Sequence, residues 1–291
     1  MNYNQFVQAV EKTVKKEVRD NVSVYIHTNV KNNGIKRCGI TMVEQGINIS
    51  PTIYLEEYYQ QFEQGSSIEM IVGEILRLYG EVRFERSWEG DNLEDYPHVR
   101  GKIIYRLVNQ EANAELLREV PYMEYLDLAV VFYVLLEINH YGMASMMIRN
   151  EHLRMWNTTK EEIYRYARRN KEILLPDEFQ TMRAVIEELT GRKETGGKDI
   201  MYILSNENRS FGAAAILYEG RLKKIGERLG ENFYVLPSSV HEMIIIAESE
   251  APSKEELSEM VAEINRTQVE AEEVLSDHAY YYDRKQEKLV L

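Results

Sequence analysis

At 291 residues the chain is long enough for two or three domains, and its 44% hydrophobic residues are typical of a folded globular protein rather than a disordered one. Forty-eight acidic against thirty-five basic side chains give a formal charge of -13, which repels nucleic acid over most of a surface. A single cysteine, Cys38, excludes an internal disulfide framework and every multi-cysteine metal site.

No apolar run approaches the roughly 18 residues that span a bilayer, because Asp127 and Glu137 interrupt Leu126 to Ile138. The opening MNYNQFVQAVEKT lacks the basic-then-apolar order of a signal peptide, so no membrane contact and a cytoplasmic location are expected. Twenty tyrosines stand against seven phenylalanines, enough for amphipathic core edges and a tyrosine-rich binding face.

In chain order, Phe6, Val10, Val14 and Val18 predict an amphipathic helix. Val22, Val24 and Ile26 alternate as a half-buried strand. The turn Lys31 to Gly34 then leads to a second strand with Cys38, Ile40 and Met42 facing one way. A third strand is predicted at Ile47 to Ile49, before Pro51. Helices follow with Leu55, Tyr58, Tyr59 and Phe62, and then with Ile68, Ile71, Val72, Ile75, Leu78 and Tyr79 behind a Ser66–Glu69 capping box. Glu81 to Pro97, with Trp88 and Gly90, reads as a connection that ends a module of residues 1–98.

A second module, 99–190, opens with the short apolar run Ile103 to Leu107 and a helix over Ala112 to Arg118. The β-prone run Leu128 to Leu136 turns through Asn139 to Gly142 into a strand with Ala144, Met146 and Ile148. Thr158 and Glu161 have capping-box spacing ahead of a helix with Ile163, Tyr166 and Ala167. Pro176 starts another helix through Phe179, Met182, Val185 and Leu189. Gly191 to Lys198, rich in glycine and charge, reads as a linker.

The third module, 199–291, has the most legible stretch. Ile200 to Leu204 reads as a buried strand, Phe211 to Leu229 as a helix capped by Gly230, and Phe233–Leu236 and Met243–Ala247 as two more strands. A Ser253–Glu256 capping box opens a helix with Leu257, Val261 and Ile264. A short helix over Val269 to Leu275 and a strand at Ala279 to Tyr282 close the chain. The fold class is therefore α+β, several modules of antiparallel sheet with helices on one face. The β-α-β-β-α-β order of the last module matches a ferredoxin-like, split βαβ arrangement. Leu128 to Asn170 and Phe233 to Asn265 repeat one local order, strand, turn, strand, capping box, helix.

The segments SPTIYLEEYY (Ser50 to Tyr59), LDLAVVFYVLL (Leu126 to Leu136), FYVLPSSVHEMIII (Phe233 to Ile246) and VLSDHAYYY (Val274 to Tyr282) resemble a family of gut clostridial proteins labelled domain of unknown function 5688. The resemblance covers nearly the whole chain, and PSSVHE is its most specific part. It implies a free-standing bacterial protein of one recurring design and supplies no catalytic residue.

Chemistry has few footholds. Ser238, Ser239, His241 and Glu242 share one turn, where a histidine can activate a serine; Asp277 could orient that histidine if the last strand docks nearby. No G-x-S-x-G elbow is present, and Pro-Ser-Ser is also a common turn. His241-Glu242 lacks the second histidine of H-E-x-x-H, and His140 or His152 meets Asp127 or Glu151 only by tertiary chance, so no metal is expected. Asn206, Asn208 and Arg209, between a strand end and an expected helix start, are candidate ligands for an anion, without a glycine-rich nucleotide motif. Arg165, Arg168, Arg169 and Lys171 with Glu161 and Glu162 read as a salt-bridged helix face. No cofactor is expected. The leading expectation is a non-catalytic protein-binding or adaptor protein, using a sheet edge or tyrosine-rich face. The alternatives are a hydrolase using Ser238 or Ser239 with His241, and a small-molecule sensor near Arg209.

Overall fold

The computed structural model describes residues 1–84, 93–139, 142–192 and 199–291, except the side chain of Ser238. Trp88, Gly90, His140 and most of the expected 191–198 linker lie outside the described residues. The chain forms two compact units, Met1–Leu93 and Glu94–Leu291. The α+β class and its antiparallel sheets are as the residue patterns indicate.

The first unit opens with helix α1 (Tyr3–Glu17), started by an Asn2–Gln5 capping box and burying Phe6, Val7, Val10 and Val14. Strands β1 (Val22–Val30) and β2 (Lys36–Glu44) form a hairpin in full register, and β3 (Thr52–Tyr54) pairs with β2. The third strand thus follows Pro51 instead of preceding it. Ile47 N–H bonds to Glu44 O beside left-handed Gly46, so Ile47 to Ile49 is still in the turn when the chain leaves β2. Helices α2 (Glu56–Glu63) and α3 (Ile68–Val82) complete the unit. The N-cap of α3 is Ser67, whose Oγ accepts from Met70 N, one residue beyond the expected Ser66. Ile40, Met42 and Val24 pack with α1, and with Ile71, Val72 and Ile75 of α3. Burying each such side chain contributes about 1.5–3 kcal/mol.

The second unit begins with the short helix α4 (Tyr96–Val99) and strand β4 (Ile103–Asn109). The expected helix at 112–118 is a single 3₁₀ turn, Leu116–Arg118. Strands β5 (Tyr122–Tyr125), β6 (Leu128–Asn139) and β7 (Gly142–Met147) follow, and β4, β5 and β7 all pair with β6. Helix α5 (Asn150–Met155) precedes α6 (Lys160–Leu174), whose N-cap is Thr159, not Thr158. The expected helix after Pro176 is first a strand, β8 (Asp177–Thr181), and only then α7 (Met182–Thr190). The spacing of Phe179 fits either period, and stacking on Tyr202 at 5.2 Å in β9 (Met201–Asn206) selects the strand.

The remaining elements are α8 (Arg221–Leu229), β10 (Phe233–Ser239), β11 (Glu242–Ala247), α9 (Lys254–Thr267), β12 (Tyr280–Asp283) and β13 (Lys288–Val290). The expected helix from Ser210 is interrupted: Phe211 is left-handed, Gly212–Leu217 is 3₁₀, and left-handed Gly220 caps α8. Residues 269–275 form turns rather than a helix.

Six strands form one sheet in the order β13-β12-β10-β11-β9-β8. Since β11 is antiparallel to both β9 and β10, those two run parallel around it, a split βαβ unit. The ferredoxin-like expectation is corrected at one place. That arrangement sets the last strand beside the first, whereas β12 pairs with β10 and β8 occupies the outer edge of β9. The β8–β9 pairing also carries the sheet across the segment read as a linker.

Candidate functional site

The turn after β9 is organised by buried Asn206. Its Oδ1 accepts from Asn208 N (3.1 Å) and Ser210 N (3.3 Å), and its Nδ2 donates to Ser210 O (2.9 Å). Arg209 is left-handed and pairs with Glu178, at 3.5 Å, and with Glu188. Two carboxylates therefore surround the cation that an anion would need. No α-helix starts at this position: left-handed Phe211 precedes a short 3₁₀ segment, Gly212–Leu217, that packs against β9 and β11. A Cβ on Gly212 would stand 2.2 Å from Ser205 Oγ and 2.7 Å from His241 O, so glycine is what permits the approach.

His241, in the β10–β11 turn, is held on both sides of its ring. Nδ1 accepts from Phe211 N at 3.2 Å, and Nε2 lies 3.1 Å from Glu273 Oε1. A backbone donor on Nδ1 places the proton of the neutral ring on Nε2, directed at Glu273. Ser239 Oγ accepts the backbone N–H of His241 at 3.0 Å, and no hydrogen bond joins that hydroxyl to the ring. Ser238 has its backbone in β10, and its side chain lies outside the described structure. Glu242 is half-buried; burial pushes its carboxyl up, while His241 and Arg209 pull it back. Asp277 accepts from Asn265 Nδ2 at 2.8 Å. The acid that meets His241 is thus Glu273, which no spacing rule singles out.

Two cations are buried, Arg106 and Lys171, and Lys171 therefore leaves the salt-bridged face on which Arg165 and Arg168 pair with Glu162 and Glu219. Lys171 has no exposed surface; its Nζ donates to Tyr105 O at 2.6 Å and to Phe211 O at 3.4 Å. Burial, reinforced by Arg106, holds its amine well below the usual lysine range. The signal was present, since Ile163, Ala167 and Lys171 recur every four residues along the buried stripe of α6. Arg106 donates to Ser145 Oγ at 2.6 Å, with the rings of Phe211 at 3.6 Å and Tyr133 at 4.1 Å.

Asp127 is a third hub. It accepts from Ser276 Oγ at 2.5 Å and Tyr280 OH at 2.6 Å, and it borders an open cleft of about 580 Å³ with Gln110, Glu111, Leu117, Arg118 and Tyr122. Among the described residues no three His, Cys, Asp or Glu side chains converge as metal ligands, and no helix is long and apolar enough to cross a membrane.

The first unit presents a different kind of site. Its sheet has the order β1-β2-β3, so β1 lies on an edge. Gln45 N bonds to Asn21 O, and Lys31 N to Ile35 O, at the two ends of the hairpin. Antiparallel alternation then turns the main-chain groups of odd-numbered residues of β1 toward β2 and those of Val22, Val24, Ile26, Thr28 and Val30 outward. Tyr25 is 55% exposed and Val30 67%. On the face opposite the helices, Asn29 Nδ2 donates to Tyr54 OH, Thr41 and Thr52 share a hydrogen bond, and Lys31 lies over the Tyr54 ring.

The comparisons agree with the resemblance. The model of a family of unknown function, DUF5688, matches residues 3–284, and the chain belongs to that family. No match is found among curated proteins or among solved structures.

Proposed function

We propose that this is a non-catalytic protein-binding protein of adaptor type, which takes an extended polypeptide strand on the open edge of β1. The observation that carries the reading is a nine-residue edge strand whose outward N–H and C=O groups, apart from the Val22 N–H bonded to Arg19 O, have no strand beside them among the described residues. Such an edge is a template for main-chain pairing. Arg209, His241 and Asp127 are each engaged by partners within the second unit, which suits a supporting rather than a reacting role. A cytoplasmic location belongs to the same proposal; Cys38 stands as a thiol that burial keeps protonated.

The test is a screen of the whole protein against a displayed library of extended peptides, followed by hydrogen exchange on the complexes. Saturable binding with new amide protection at Val24, Ile26, Thr28 and Val30 is expected. Protection confined to other segments would overturn the edge assignment. Stoichiometric labelling of Ser238 or Ser239 by a fluorophosphonate probe would replace the whole reading with the serine hydrolase.

A further inference from the structure

Edges in water are usually blunted by charge, by proline or by a bulge. β3 spans three residues, β8 carries Asp177 and Glu178, and β13 carries Lys288. The uncharged β7 has six residues and faces a register irregularity between Leu135 and Glu137 of β6. β1 differs from all of these. Its nine residues, VSVYIHTNV, contain no Lys, Arg, Asp or Glu in a chain that is 29% charged, and it pairs with β2 without a register shift.

Resting on the strand-addition reading, we infer that the occupant of this edge is β1 of a second copy, paired antiparallel about a two-fold axis at Ile26. That centre overlaps the whole strand with itself, Val22 opposite Val30 and Val24 opposite Thr28. Each pair is even-numbered, so the outward N–H and C=O groups meet each other, except that Val22 N–H already bonds to Arg19 O at 3.0 Å and Val22 offers only its C=O to the second copy's Val30. The pairing covers the exposed Val30 with the second copy's Val22 and sets Tyr25 against the second copy's His27. It also resolves the electrostatic problem of joining two copies of an acidic chain. No like charges meet along the strand, and at each end Lys31 comes opposite the second copy's Asn21, one residue from its Asp20. The strand itself is thus a neutral ladder, and at each end Lys31, which lies over its own Tyr54 ring, comes near the second copy's Asp20 with Arg19 beside it. Joining the edges makes one continuous six-stranded sheet from two three-stranded ones.

The experiment is sedimentation equilibrium of the whole protein from about 1 to about 200 μM, spanning the micromolar range of dissociation constants. A reversible monomer–dimer equilibrium is expected. Thr28→Pro, which removes an outward donor where an edge strand tolerates proline, should raise the dissociation constant at least about tenfold while circular dichroism stays unchanged. If that variant does not fold, Thr28→Lys puts a charge on the same exposed position and should act likewise. Lys31→Asp and Asp20→Lys should each weaken the dimer, and the double exchange should restore it. A monomer at every concentration overturns the inference, as does a dimer indifferent to the Thr28 variants. The peptide screen, run at a dilution where sedimentation shows the monomer, then separates the two claims: peptides protecting β1 of the monomer leave strand addition standing whether or not a dimer forms, whereas a β1 edge protected neither by peptide nor by dimerisation removes both.

Discussion

Lys171 shows how much one side chain depends on its setting. In sequence it belongs to a basic cluster with Arg165, Arg168 and Arg169, and in the structure it alone of the four is fully buried. Its ammonium donates to two carbonyls and pairs with no carboxylate among the described residues, and burial then favours the neutral amine. A base whose folded-state value is depressed binds fewer protons folded than unfolded, so its charged form penalises folding fully below the depressed value. The penalty fades as pH rises from there toward the ordinary lysine value of about 10.4. The stability of the wild type relative to Lys171→Met should therefore increase with pH across the alkaline range, as read by urea unfolding at a series of pH values. A pH-independent difference would mean that the amine is not depressed. His241 makes the companion point. Its importance was visible in PSSVHE, whereas its partners, Phe211 N and Glu273, lie 30 and 32 residues away in the chain and answer to no local rule.

At the scale of elements, local signals located α1, α2, α3, α6 and α9, and missed the N-caps of α3 and α6 by one residue. Ser66 and Ser67 both suit an N-cap by composition, and Ser67 alone accepts from Met70 N. Ser67→Ala should cost about 1 kcal/mol in the unfolding of the first unit, and Ser66→Ala close to nothing, measured by chemical denaturation. Larger departures occurred where tertiary pairing outweighed periodicity. Phe179 has a helical spacing to Met182, yet the edge of β9 recruits residues 177–181 as a strand through five residue pairs. The stretch 211–229 has a helical stripe, yet the approach of Gly212 to His241 O requires the left-handed turn at Phe211 that breaks it. In both places the winning interaction comes from a distant strand.

At the scale of the molecule, the division into Met1–Leu93 and Glu94–Leu291 follows from where each core closes. Phe6, Ile40, Met42, Leu55, Ile71 and Ile75 close one core within the first unit. In the second, β8 on β9, Asn109 Nδ2 on Leu275 O and Tyr280 OH on Asp127 tie residues 94–190 to 199–291. A fragment of residues 94–291 should therefore unfold cooperatively with native-like circular dichroism. A fragment of 199–291 should not, because it loses the strand that pairs with β9 and the carboxylate that holds Tyr280. Cooperative unfolding of the shorter fragment would show that the C-terminal strands need neither.

What the sequence determined by itself was whatever depends on neighbours a few residues apart: the α+β class, the hairpin of β1 and β2, the stripes of α1, α3 and α6, and the family resemblance carried by PSSVHE. It also contained the uncharged composition of β1 and the four-residue spacing of Lys171, though neither stands out until one knows which strand is on an edge and which face is buried. The tertiary structure alone decided strand order, the partner of His241 and the edge that β1 presents. Those are matters of long-range pairing, and a strand's outer neighbour is fixed by backbone hydrogen bonds that are the same for every residue type. Side-chain pattern fixes which face of a strand is buried, and leaves open which strand lies beside it.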